Sequence, residues 1–115
     1  MFPQEQIDTL KTLYPNASIA EEGGVQFILL ENLKLPEGTS PSSVTGLLCP
    51  SDRDGYPSRL YLSQQVTHKG KGQNWNPKNS VVILGKSWWA ISWKITKKEL
   101  TLTDLLLEHL RAFRQ

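Results

Sequence analysis

Four tryptophans, Trp75, Trp88, Trp89 and Trp93, fall within 19 residues of one another. Each ring presents a large apolar area that folding has to cover. The segment holding them must therefore run through or beside the core. Trp88 and Trp89 are adjacent, and adjacent side chains on a strand point to opposite faces. Such a strand needs cover on both sides, or one ring lies at an edge or a contact surface. The surrounding pattern is that of a strand over 88–95: Trp89, Ile91, Trp93 and Ile95 alternate against Trp88, Ala90, Ser92 and Lys94.

The rest of the chain supplies strands before this segment and helices at both ends. Residues 3–14 read as a helix, with Pro3 in the first turn and Ile7, Leu10 and Leu13 or Tyr14 at helical spacing. Tyr14-Pro15 stops it, because a residue before proline avoids the helical region. Ser18–Glu21 reads as a short strand, and Glu22-Gly23-Gly24 as a turn. Val25–Leu30 has apolar residues on both faces and predicts a central strand covered on two sides. Leu35–Ser43 reads as a loop, Val44–Cys49 and Arg59–Val66 as strands, and Pro50–Pro57 as a polar loop. Thr67–Ser80 is a long polar loop around Trp75, and long loops in small domains are often functional. Val81–Leu84 is a further strand. A closing helix begins at Thr101 or Thr103, with Leu102, Leu105, Leu106, Leu110 and Phe113 on one stripe. The order predicts one α+β domain over residues 1–115, an antiparallel β-sheet meander with the N- and C-terminal helices packed on it.

At 115 residues the chain has room for one core. Its apolar runs are far shorter than the roughly 20 residues that cross a bilayer. No basic-then-apolar leader opens it, so neither a secretion signal nor a membrane anchor is expected. Cys49 is the only cysteine, which excludes an internal disulfide and a cysteine zinc site. A reducing, cytoplasmic setting is the expectation. No cofactor is implied. Two distant histidines without a spaced acid do not make a metal site.

Charge is unevenly placed. Residues 1–54 hold eight acids and three bases, whereas residues 55–98 hold eight bases and no acid. That block, Arg59, Lys69, Lys71, Lys78, Lys86, Lys94, Lys97 and Lys98, is either a set of solubilising charges or a positive face for a partner.

Candidate reactive groups are few. Cys49 ends an apolar strand, where a cysteine is usually a small buried hydrophobe. A catalytic thiol needs a base or an electropositive site. His68, in Thr67-His68-Lys69-Gly70-Lys71-Gly72, is a loop histidine placed to make a contact. His109 reads as a partly exposed helix residue. Gly70-Lys71-Gly72-Gln73 lacks the full phosphate-loop pattern.

Gln6-Ile7-Asp8-Thr9-Leu10-Lys11-Thr12-Leu13-Tyr14-Pro15 resembles the opening helix of RWD domains, relatives of the ubiquitin-conjugating (UBC) enzymes. Gly55-Tyr56-Pro57 resembles the Tyr-Pro that follows the third strand in that superfamily. With Leu35-Pro36-Glu37-Gly38, Trp88–Trp93 and the leucine-rich final helix, most of the chain is similar to a bacterial family of UBC-like proteins. The resemblance implies a UBC/RWD-like fold. It departs from the enzymes at the chemistry. Ser58-Arg59-Leu60-Tyr61 follows Tyr-Pro without the usual further proline, Thr67-His68-Lys69-Gly70 keeps only the histidine of His-Pro-Asn, and no cysteine follows Cys49. Cys49 itself precedes Tyr-Pro, so the usual thioester is not expected.

Three expectations follow. The first is a non-catalytic protein-binding module, with a ubiquitin-like partner or one from a bacterial conjugation or deconjugation system, contacted through Arg59, His68, Lys69, Lys71 and Trp75. The second is a nucleic-acid-binding domain in which the lysines of 55–98 hold phosphates and the tryptophans stack bases. The third is an altered transfer enzyme using Cys49 or His68. An exposed apolar patch around the tryptophans would favour a homodimer.

Overall fold

A computed structural model describes residues 3–114. Helix α1 spans Gln4–Leu13. Pro3 caps it rather than entering its first turn, and the Gln6 N–H bonds the Pro3 carbonyl at 3.0 Å. At its far end the Tyr14 N–H donates to Leu10 O at 2.8 Å just before Pro15. The strands are β1 (Ser18–Glu22), β2 (Val25–Lys34), β3 (Thr39–Ser40), β4 (Ser43–Cys49), β5 (Arg59–Leu62), β6 (Thr67–His68), β7 (Lys71–Gly72), β8 (Val81–Ile83) and β9 (Lys86–Ala90). Helix α2 spans Leu102–Leu110 and passes into a 3-10 turn at Arg111–Arg114. Its cap is Thr101, whose side chain accepts the Asp104 N–H at 3.2 Å. No helix among the described residues is long and apolar enough to cross a membrane.

The main sheet is antiparallel throughout, in the order β1-β2-β4-β5-β9-β8. Both of its faces are apolar, as the β2 pattern required. Ile28 and Leu30 of β2, Val44 and Leu48 of β4, and Leu60 and Leu62 of β5 join Leu10, Leu102, Leu105, Leu106 and Phe113 in the core under the helices. Phe27, Leu47, Cys49 and Tyr61 point the other way. There the curled sheet covers itself, with Ile83 of β8 and Trp88 and Ala90 of β9 closing a second core. The curl brings the ends of the two outer hairpins together, and the Leu84 N–H donates to Glu22 Oε1 at 3.0 Å. Trp88 therefore lies inside, 2% exposed, with its indole N–H on Ile83 O at 2.9 Å. Trp89, on the opposite face, is half-buried.

Several boundaries differ from the sequence reading. Strand β2 runs on to Lys34, because an irregularity between Leu30 and Leu33 shifts its register and keeps Leu33 inward. Strand β5 stops at Leu62 instead of Val66, and β9 stops at Ala90 instead of reaching Ile95. Beyond Ala90 the partner is a loop: Trp75 bridges Ile91, and the Ser92 N–H donates to Asn74 O at 2.7 Å. Residues 92–100 are irregular. The two expected loops contain a small second sheet, β3-β6-β7. Periodicity missed it because two-residue strands have no period.

Gly46 shows how tightly β4 packs. A Cβ built there would sit 2.6 Å from Leu33 Cδ2. Gly46→Ala is expected to cost about 1–3 kcal/mol, since Leu33 is fully buried and has nowhere to move. Urea unfolding would measure it; an unchanged midpoint would mean that β2 gives way freely.

Candidate functional site

The β4–β5 loop, the start of β5 and the Trp75 loop converge on one side chain, Arg59. Its side chain is 1% exposed. It donates from Nη1 to Asp54 Oδ2 at 3.3 Å, and from Nη2 to the carbonyls of Asn76 at 2.6 Å and Ile91 at 3.2 Å. The guanidinium also stacks over the Tyr56 ring, with Cζ 4.1 Å from the centroid. Around it, the Tyr61 hydroxyl donates to Asp54 Oδ2 at 2.8 Å, and Asn76 Nδ2 donates to the Tyr56 oxygen at 2.8 Å. The Tyr56 and Ser92 hydroxyls share a hydrogen bond at 2.8 Å. Burial, and then the Asp54 carboxylate beside it, hold the Tyr61 phenol well above its usual range. Arg59 is thus no surface contact. It is an interior tie among three segments, its charge matched by one carboxylate and two carbonyls.

Ser58 and His109 meet next to it, Oγ to Nε2 at 2.9 Å, and both residues are buried. His109 is therefore not the partly exposed helix residue expected from its neighbours. The distance is that of a nucleophile and its base, and Ser58 lines a cleft of about 280 Å³ with Pro50, Pro57 and Leu100. The surroundings oppose catalysis. A base must become imidazolium, whereas burial first and the Arg59 charge second push the His109 pKa down to about 4. Glu108 pulls weakly the other way. Among the described residues no carboxylate hydrogen-bonds His109 to orient it. The pair ties α2 to the Tyr-Pro loop.

His68 is also interior, 7% exposed, with Nδ1 3.0 Å from Thr39 Oγ1. A histidine in a polar stretch is buried here because β3 pairs with β6 across it. Lys69 and Lys71, flanking the Gly70 turn, are exposed. Trp75 is half-buried against the helix-side core. Of the five residues expected to form one contact surface, the structure leaves the two lysines outside, the edge of Trp75 partly accessible, and Arg59 and His68 within. All seven lysines between 69 and 98 are exposed.

Cys49 is 0% exposed and lies in the second core among Phe27, Leu47 and Tyr61. Its thiol reaches Ser51 O at 3.5 Å and Ser51 Oγ at 3.8 Å, and neither is a base. We expect native Cys49 to react with an aromatic disulfide reagent on the order of a thousandfold more slowly than the urea-unfolded chain, with access gated by opening of the sheet. Labelling at the unfolded rate would show an open second core.

Among the described residues no three His, Cys, Asp or Glu side chains gather as metal ligands. Sequence reasoning passed over Asp54, Asn76 and Ser92, because their partners lie 5 to 36 residues away. It also passed over Leu107. The signal there was a leucine off the main stripe of α2; it is 50% exposed. No protein-family model matches the chain, and neither a curated protein nor a solved structure matches it.

Proposed function

We propose that this chain is a UBC/RWD-like protein-binding module without thioester chemistry, serving a ubiquitin-like protein or a component of its conjugation or deconjugation system. The observation that carries the reading is the position of Tyr56-Pro57. It stands in the connection between the third and fourth strands of an antiparallel run, β1-β2-β4-β5, that follows one helix and precedes another. Tyr56 there stacks on the buried Arg59, which gives the Tyr-Pro a structural reason in this chain. Burial of Cys49 supports the non-catalytic part, since a thiol that meets no base and no solvent does not carry an acyl group. Lys69 and Lys71 supply the exposed charge for a partner.

The test is affinity capture from native-host lysate, with and without nuclease, followed by titration with the purified partner. A nuclease-resistant, saturable protein partner supports the reading, and a ubiquitin-like one makes it specific. Lys69→Glu with Lys71→Glu is expected to weaken binding roughly tenfold at low salt, mainly through slower association. Capture that vanishes with nuclease would replace the reading. The second reading, nucleic-acid binding, draws on the seven exposed lysines. It lacks its stacking platforms: Trp88 is buried, the other three tryptophans are half-buried, and the Trp93 indole N–H is held by Glu108 O at 3.1 Å. It predicts affinity that collapses with added salt.

A further inference from the structure

A groove of about 450 Å³ runs between the β2–β3 connection and the end of α2, lined by Lys34, Leu35, Pro36, Leu107, Leu110 and Arg111. We propose that this groove docks an acidic segment of a partner protein that carries an apolar anchor residue. The inference rests on the protein-binding reading and gives it a surface.

The floor is apolar and open. Leu107 is half exposed although it sits on the most apolar helix of the chain, and Leu110 beside it is only partly covered. Among the described residues, none covers the outer half of Leu107. The rim is cationic. Lys34 stands on one wall and Arg111 on the other. The β6–β7 hairpin adds Lys69 beside the Pro36 turn: its N–H donates to Gly38 O at 2.8 Å, and the Thr39 N–H in that turn donates to Pro36 O at 3.1 Å. Neither Lys34 nor Lys69 has a carboxylate within ion-pair distance among the described residues. Arg111 shares Glu108 with Lys97, so one carboxylate serves two cations. Glu37 is the acid nearest in sequence to the Pro36 wall, and it is exposed.

Charge and shape together select the occupant. A nucleic acid would use the cations and gain nothing from a leucine floor. A neutral apolar ligand would gain nothing from the cations. A peptide with an apolar side chain flanked by glutamates or aspartates uses both: the anchor covers Leu107 and Leu110 while its acids face Lys34 and Arg111.

The probe is a fluorescein-labelled peptide of about 15 residues with leucines at i and i+4 and glutamates between them, read by anisotropy against the full chain. Its controls replace the leucines by alanine, or the glutamates by lysine. We expect saturable binding of the first peptide alone, weakened about tenfold by Leu107→Asp and about tenfold by Lys34→Glu with Arg111→Glu. Leu107 and both cations are exposed, so these variants should keep the wild-type circular dichroism. Equal binding of the alanine peptide, indifference to Leu107→Asp, or full competition by single-stranded DNA would overturn the proposal. Leucine-dependent self-association of the chain would overturn it too, giving the groove to a second copy. A captured cellular partner lost with Lys69→Glu and Lys71→Glu but kept by Leu107→Asp and by Lys34→Glu with Arg111→Glu would remove the groove and leave the binding-module reading standing.

Discussion

Arg59→Met lowers the stability of this domain by about 2–4 kcal/mol, enough to drop its melting temperature by about 10 °C or more. The methionine nearly conserves volume, so the loss is not mainly a cavity. It comes from the groups that Arg59 satisfies. The carbonyls of Asn76 and Ile91 lose their side-chain donor in a site where that donor is 1% exposed, and the Tyr56 ring loses its cation. Asp54 behaves differently. Its side chain is 41% exposed and regains water when Arg59 is gone, so Asp54→Asn should cost only about 1 kcal/mol. Urea unfolding of both variants measures the contrast. Equal small losses would place Arg59 at the surface and return it to the set of binding residues. The same variant should loosen the Trp75 loop, because both of its main-chain acceptors lie on that loop and the strand end it pairs with.

The second large effect is on acid stability. His109 is neutral in the folded protein because burial and the Arg59 charge oppose protonation, and its pKa falls from 6.5 to about 4. The unfolded chain takes up that proton near 6.5, so it gains relative to the folded state at every pH below that value. Stability from this group is complete above pH 6.5 and is lost as pH falls from there to about 4. The full loss is about 3 kcal/mol, from the size of the shift. Glu108 works in the same sense at lower pH. Lys97 and Arg111 hold its carboxyl below the usual range, and that contribution disappears as it protonates. His109→Gln separates the two, since glutamine can still bond Ser58 and cannot titrate. Wild type should lose about 3 kcal/mol more than His109→Gln between pH 7 and pH 4 in urea unfolding. Parallel pH profiles would mean that His109 is open to water.

These two residues also show where sequence reasoning stopped. Arg59 opens a basic, acid-free stretch, and in sequence it resembles the lysines that follow it. His109 lies between Glu108 and Leu110 and gives no sign of a partner. Each is buried because a polar group distant in sequence meets it: Asn76 and Ile91 for Arg59, Ser58 for His109, and likewise Thr39 for His68. Burial of a polar side chain costs little once its hydrogen bonds are made, and those bonds are long-range facts. The apolar elements behave otherwise. Val25–Leu30 announced a strand covered on both faces, the leucine stripe behind Thr101 or Thr103 announced α2, and Trp88 and Trp89 announced a strand with two sides. All three stand in the structure.

The groove followed a similar course. Leu107 is visible in the sequence as one leucine more than the buried stripe requires, but its exposure depends on where the β2–β3 connection ends. Lys34 and Lys69 are 35 residues apart, and the β3–β6 pairing is what carries Lys69 to the turn beside Pro36.

The two helices, the main-sheet strands β1, β2, β4, β5, β8 and β9, the α+β order and most of the apolar inward positions were determined by the sequence alone, because they follow from local periodicity, caps and turn residues that neighbours within a few positions decide. The closure of the sheet on itself, the interior places of Arg59, His68 and His109, and the assembly of the groove were decided only by the tertiary structure. Each depends on pairing between segments whose separation along the chain carries no local signal, and the hydrophobic burial of the two cores is what brings them together.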